Sequence, residues 1–391
     1  MDDRAPNFYA LFRQGETVMT IPYFPAAGTG WNIISASDAG FSTDGLKSAV
    51  DYAINNESSM DRDVLKALVE KRAFAEPPPW GDIIGPTRPR EDPHGLILRG
   101  GRIAAQWGNI NRADITFSVA KSLLSICAGL LHDDGLIPDF DTPVGDLVDD
   151  GGFEPPHNHL ITWRQLLQQT SEWEGELWGK PDLIDRNRDL TIDPEENAAK
   201  GQGRELSAPG SFWEYNDVRV NRLSLALLRV ARRPLPALFR ERIMEPIDAS
   251  ADWEWHGYDN SWVDIGGQQV QSVSGGSHWG GGVFINSLDQ ARIGLLMQRG
   301  GVWNGKRLLS EAYIRQAIEP CPVYQDYGLF WWLNRSGERL PHAGRDGFCA
   351  VGFGSNIIWV EPTLDLLAVV RWIEPGAFDG FCGQVMTALK S

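Results

Sequence analysis

Ser118-Val119-Ala120-Lys121 opens the apolar run Ser122-Leu123-Leu124-Ser125-Ile126-Cys127-Ala128-Gly129-Leu130-Leu131, and no other stretch constrains the fold so tightly. A helix that is apolar on all sides has to lie inside a large core. The run therefore reads as a buried helix with Ser118 at its start and Lys121 one turn later. Residues three apart share a helix face, which sets the Lys121 nitrogen beside the Ser118 hydroxyl. Serine is too weak an acid to attack an acyl carbon without an adjacent base. A lysine can serve when burial and neighbours lower its pKa. The helix N-terminus adds a positive dipole end and unpaired N–H groups, which suit a developing oxyanion. Ser-x-x-Lys alone is a frequent chance pattern, so its meaning depends on what accompanies it.

The chain of 391 residues is long enough for a large core and two lobes. Its 36 Lys and Arg against 52 Asp and Glu give a formal charge of −16. Nucleic acid and anionic membranes are disfavoured as partners, because both need a basic face. The start, Met1-Asp2-Asp3-Arg4-Ala5-Pro6, lacks a basic segment followed by an apolar one, so no secretory signal is visible. No apolar stretch approaches the ~20 residues of a membrane span. Cys127, Cys321, Cys349 and Cys382 are scattered without metal-ligand spacing. They read as reduced thiols of a cytoplasmic protein that needs no metal or cofactor, with Cys127 as core packing.

Residues 1–40 read as an irregular N-terminal arm. Thr43 to Asn55 has a helical period, and the prolines and charges of 74–94 suggest a long surface loop. Gly100-Gly101 between two β-rich runs predicts a hairpin over 95–107. From Ser118 to about 250 the helical period dominates, with a capping box at Thr162-Trp163-Arg164-Gln165 and helices over Val218–Arg232 and Pro236–Met244. Residues 180–203 form a polar insertion. After 275, strands are expected over Tyr327–Asn334, Asn356–Val360 and Leu366–Trp372, with a helix over Ser287–Gln298 and another from Phe381 to Lys390. Residues 41–110 with 275–391 thus form an α/β lobe around a mainly helical lobe of 111–274, with a cleft between them.

Two further elements join the serine helix. Pro209-Gly210-Ser211-Phe212-Trp213-Glu214-Tyr215-Asn216-Asp217 puts Tyr215 on a loop at a helix start, where its oxygen could relay a proton. Pro341-His342-Ala343-Gly344-Arg345-Asp346-Gly347 combines a histidine that titrates near neutrality with small residues that let a substrate backbone approach closely. In this order the three elements resemble the serine β-lactamase and penicillin-recognising family, in its class C and esterase branch. Leu160-Ile161-Thr162 through Thr170-Ser171 resembles that family's I-T-x-x-x-L-L-x-x-T-S element, and Pro209 to Asp217 its P-G-x-x-x-x-Y-x-N loop. Gly281-Gly282-Val283 to Asp289, with Gly305 to Ser310, resembles its late helical region. Thr116 to Ser122 is most similar to the 6-aminohexanoate-dimer hydrolase branch. About residues 40–390 are covered.

The resemblance implies an α+β, β-lactamase-like fold: an antiparallel sheet flanked by helices, plus an inserted mainly helical lobe. It implies Ser118 as acylated nucleophile, Lys121 as its neutral base, Tyr215 as second proton relay and His342 in place of the usual triplet lysine. The implied oxyanion hole is the backbone N–H of Ser118 with that of Arg345. Asp217, Ala343 and Gly344 fall at substrate-contacting positions, and Trp173 and Trp178 are read as cleft-rim residues. Asp217 stands where β-lactamases carry asparagine, and the triplet lysine is lost; both changes weaken a β-lactamase reading. Asp185, Asn187, Asp189, Thr191, Asp193 and Glu196 match the spacing of a calcium loop, but Leu190 occupies the position that demands glycine. The segment reads instead as a solvated acidic loop. The expected activity is hydrolysis of a small-molecule ester or amide. The alternatives are a β-lactamase or D-amino-acid peptidase and, in another class, an inactive ligand-binding protein. Oligomeric state is left open.

Overall fold

The computed structural model describes residues 22–27, 30–70, 76–190 and 197–390. In chain order the elements are α1 (Thr43–Asn55), α2 (Val64–Glu70), β1 (His94–Arg99), β2 (Arg102–Trp107), β3 (Asp114–Ile115), α3 (Val119–Asp133), α4 (Trp163–Leu167), β4 (Glu176–Leu177) and β5 (Lys180–Pro181). There follow α5 (Asp217–Ala231), α6 (Leu235–Phe239), β6 (Glu254–Ile265), β7 (Gln268–Val273), β8 (Gly282–Ile285) and α7 (Ser287–Gln298). The last are β9 (Val302–Trp303), β10 (Lys306–Arg307), α8 (Glu311–Ala317), β11 (Trp332–Leu333), β12 (Phe348–Gly352), β13 (Asn356–Glu361), β14 (Leu366–Arg371) and α9 (Phe378–Ala388).

The main sheet is antiparallel, in the order β11-β12-β13-β14-β1-β2. Its central strands are apolar at nearly every position because helices cover both faces. Leu96, Leu98, Ile358, Val360, Leu367 and Val369 turn to the core that holds α3 and α7. The alternate residues Ile97, Trp359, Leu366, Ala368 and Val370 meet α1 and α9 through Leu46, Ala49, Phe378, Phe381 and Val385. Successive strand side chains point to opposite faces, so one strand serves two cores. This is the expected α+β arrangement.

A second antiparallel sheet, β3-β8-β6-β7, leads into the serine helix. The long β6–β7 hairpin was not anticipated, and it lies in the stretch expected to be mainly helical. Its signal is nevertheless visible: period-two alternation around Gly266-Gly267, both at positive φ. The expected strand over Tyr327–Asn334 is reduced to Trp332–Leu333, whereas the helix expected over Pro236–Met244 is present as an α-helix over Leu235–Phe239 that widens into a π-helix over Arg240–Met244. Helix α1 and the capping box before α4 have the predicted bounds, with Ser42 and Thr162 as N-caps. All four cysteines are buried free thiols. Among the described residues no helix is long and apolar enough to cross a membrane.

Two buried charged residues tie the layers together. Arg371 of β14 donates to Asn356 Oδ1, to Ile285 O at 3.1 Å and to Ile115 O at 2.7 Å, clamping the second sheet to the first. Glu361, 1 % exposed, accepts at Oε1 from Trp359 Nε1 (2.7 Å) and Gly344 N (3.0 Å). Burial pushes its pKa from 4.5 to about 7 against those two hydrogen bonds, and Asp346 adds to the rise. The folded state therefore holds a proton that the unfolded chain releases. Stability from this group is fully present below pH 4.5 and is lost as pH rises to 7, by on the order of 3 kcal/mol. Glu361→Gln keeps an oxygen for both donors. The variant should melt higher than the wild type at pH 8 and lose that pH dependence between 4.5 and 7, as calorimetry across that range would show.

Candidate active site

The serine is delivered by a strained approach. Thr116 N and Oγ1 both donate to Val283 O, at 2.9 and 3.1 Å, and so fix the end of β3. Phe117 then turns through φ +48°, a left-handed conformation costly for a bulky residue. Its ring is held edge-on between Phe353 (5.5 Å) and Trp372 (6.5 Å). Ser118 follows as N-cap of α3 but makes no capping bond with its side chain, which leaves the hydroxyl free for other partners. The polar residues further along this buried helix are satisfied elsewhere: Ser122 donates to Phe330 O and Ser125 pairs with Tyr313 Oη.

Lys121 is 2 % exposed, and its ammonium is enclosed by oxygen partners. Nζ lies 2.7 Å from Ser118 Oγ, 2.6 Å from Asp217 Oδ1 and 3.2 Å from Gly275 O. Burial favours the neutral amine, but Asp217 and Tyr215 outweigh it and hold the group above the ordinary lysine range. The Asp217 carboxylate therefore works against the neutral amine that a lysine base needs. Ser118 Oγ is also 3.3 Å from Gly276 O.

Asp217 and Tyr215 arrive together. Asn216 caps α5, its Oδ1 accepting from Val218 N (3.1 Å) and Arg219 N (3.2 Å), and its amide donates to Asp182 O. That anchors Tyr215, whose ring centroid is 5.0 Å from Lys121 Nζ and 5.4 Å from Arg188 Cζ. The ring stacks on Trp332 at 5.9 Å, beside half-buried Trp213. Asp217 is 2 % exposed and its oxygens face Lys121, Arg188 (2.9 Å) and His278 Nδ1 (3.7 Å). Burial alone would raise its pKa, yet Lys121, Arg188 and His278 hold it well below the carboxylate range. Its expected role as a substrate contact is therefore corrected; Asp217 is a counter-ion inside the site.

The structure does not bring His342, Ala343, Gly344 and Arg345 to the serine. His342 is 60 % exposed at its side chain and bonds Asp379 of α9 at 2.6 Å. Ala343 packs in the core formed with α9, Gly344 N donates to Glu361, and Arg345 exchanges bonds with Arg335. All four lie with the face of the sheet opposite α3, in a loop that Asn334 fastens through Leu340 O and Gly344 O. The backbone beside the nucleophile is instead the end of β12. A Cβ on Gly352 would stand 1.9 Å from Thr116 O and 3.1 Å from Ser118 N. Gly352→Ala should thus push the nucleophile out of place and cost about 1–3 kcal/mol, which a thermal melt alongside serine labelling would read.

Trp173 is also corrected: it is 3 % exposed, donates to Gly152 O and belongs to the core of the helical region. Trp178 is half-buried in the β4–β5 turn, where its carbonyl accepts from Asn260. In the acidic insertion, Thr191, Asp193 and Glu196 lie outside the described residues. Asp185 is not solvated; it is fully buried, accepts from Asp217 N at 2.9 Å and faces Lys200 at 3.3 Å. Four site residues escaped the sequence reading: Glu76, Arg188, Lys200 and His278. Glu76 accepts from His278 Nε2 (2.7 Å), Trp279 Nε1 (3.0 Å) and Lys200, and although burial opposes it, His278 and Lys200 hold it at about 2. The glycine-rich stretch Gly275–Gly282, which carries His278, was their one visible signal.

Comparison with known proteins gives the arrangement a family. The beta-lactamase family profile matches residues 115–372, well over half of the chain. No curated protein sequence matches it. Among solved structures, a beta-lactamase from Mycobacterium bovis is 17 % identical with a TM-score of 0.53, covering 76 % of this chain and 95 % of its own. A candidate 6-aminohexanoate-dimer hydrolase from Bacillus anthracis is 13 % identical (TM-score 0.53; 75 % and 78 % covered). EstCE1, a hydrolase with promiscuous acyltransferase activity, is 16 % identical (TM-score 0.54; 89 % and 99 % covered). At such identities the likeness to these structures is one of fold. The family match carries the rest: the chain belongs to the beta-lactamase family, whose members are serine hydrolases.

Proposed function

We propose that this protein cleaves an ester or amide bond of a small molecule through an acyl-enzyme on Ser118. The observation that carries the reading is the 2.7 Å contact between Lys121 Nζ and Ser118 Oγ at the head of a buried helix. Lys121 holds the serine oxygen and, with Tyr215 beside it, forms the acceptor pair for its proton. The Ser118 proton passes to the Lys121–Tyr215 pair as Ser118 attacks the carbonyl. The tetrahedral oxygen is met by Ser118 N–H and by the backbone at the end of β12, around Gly352 and Phe353; losing one such donor typically costs ~10²–10³ in rate. Tyr215 then returns the proton to the leaving alcohol or amine, and water releases the acyl group. Trp213 and Trp332 beside Tyr215 suit an apolar or linear substrate. Esterase or oligoamide hydrolase is preferred over β-lactamase, since neither Asp217 nor His342 is placed to meet a β-lactam.

Intact mass after treatment with a fluorophosphonate should show one adduct on the wild type and none on Ser118→Ala. Turnover of p-nitrophenyl acetate should exceed that of nitrocefin. A folded protein that takes no adduct would point to the ligand-binding alternative.

A further inference from the structure

Arg188 comes from the polar insertion, far in sequence from the serine helix, and yet it is packed into the site. Its Nη1 lies 2.9 Å from Asp217 Oδ2 and 3.7 Å from Asp185 Oδ1, and its guanidinium sits 5.4 Å from the centre of the Tyr215 ring. Lys121 takes the other oxygen of Asp217 at 2.6 Å and stands 5.0 Å from the same ring. One carboxylate thus couples two cations, and the two cations flank one tyrosine. A buried ion cluster is costly to assemble and is weak evidence for stability, so its value has to lie in what it orients. Behind it, Lys200 of the same insertion reaches Asp185 (3.3 Å) and Glu76. Glu76 in turn grips His278 and Trp279, next to the glycines whose carbonyls receive Lys121 and Ser118.

We infer that Arg188 is a positioning residue of the hydrolase, which turns the Asp217 carboxylate toward Lys121 and supplies a second positive charge beside the Tyr215 ring as the tyrosine gains and loses the serine proton. The insertion is then part of the catalytic apparatus and not a surface decoration. This rests on the acyl-enzyme reading above. The residue acts through Asp217 and Tyr215 and touches no reacting atom of the substrate, so removing it should slow acylation and leave binding alone.

The test uses the full chain with p-nitrophenyl acetate and the fluorophosphonate probe. Arg188→Met should lower kcat and the rate of Ser118 labelling together by 100-fold or more, with KM within about threefold of wild type. Arg188→Lys, which restores a charge but not the fork, should recover at least tenfold of that loss. Equal rates in wild type and Arg188→Met, or a Lys variant as slow as the Met variant at matched thermal stability, would overturn the inference while leaving the serine hydrolase intact. A wild type that takes no adduct would instead remove the hydrolase reading, and this one with it. Should Arg188→Met fail to fold, Lys200→Met tests the same arm. It loosens Asp185 and Glu76, and its kcat should fall by about tenfold with KM held; an unchanged kcat would count against the insertion's role.

Discussion

Lys121→Ala should all but abolish turnover, lowering kcat/KM by roughly 10⁴ or more, the scale on which the members of a nucleophilic unit fail when removed. The loss has two sources. Ser118 Oγ would lose the ammonium donor placed on it, and Asp217 would lose the partner 2.6 Å away. Fluorophosphonate labelling separates chemistry from substrate binding, because the probe needs only an activated serine. The wild type should label within minutes, and Lys121→Ala should stay unlabelled under the same conditions while its circular dichroism is unchanged. Rapid labelling of the variant would show that the serine is activated from elsewhere.

The second large effect concerns stability. Asp217→Ala strands Lys121 and Arg188 without the carboxylate between them, and breaking a buried pair in this way costs about 3–5 kcal/mol. Asp217→Asn keeps the shape but not the charge and should fall between the alanine variant and the wild type. The sign with pH follows from the depressed pKa. The contribution of Asp217 is fully present above its unfolded value near 3.8 and is lost only as pH falls through the lower folded value. The gap in denaturation midpoint between wild type and Asp217→Asn should therefore stay constant from pH 5 to 8 and narrow in strong acid. Urea titrations at several pH values would measure it, and a gap that closed near neutrality would contradict the assignment of Asp217 as a permanent anion.

What the sequence made legible was local. Ser118, Lys121 and Tyr215 could be named because each sits at a helix start whose period or cap is written in neighbouring residues. The charged residues behind them could not, because nothing near Glu76, Arg188 or Lys200 distinguishes a buried ion from a solvated one. Charged side chains are almost never buried unless paired, and the partners of Glu76 come from segments more than a hundred residues away. The misplaced triplet has a similar origin. His342-Ala343-Gly344 offered the right residue types, whereas Phe348-Cys349-Ala350-Val351-Gly352 offered the right strand, buried on both faces and ending in the glycine that touches Thr116.

The pairing of β1 with β14, Leu96 opposite Val369, has a consequence for how the chain is made. A ribosome releases His94–Arg99 long before Leu366–Arg371 exists, so one edge of β1 stays without its partner through most of synthesis. The serine helix, which packs against that sheet, waits equally long for its floor. Non-local pairing of this kind slows folding and exposes apolar strands to other chains. Heterologous expression should accordingly give more soluble protein at low temperature or with chaperones that shield nascent strands, and shortening the chain ahead of Leu366 should leave it insoluble.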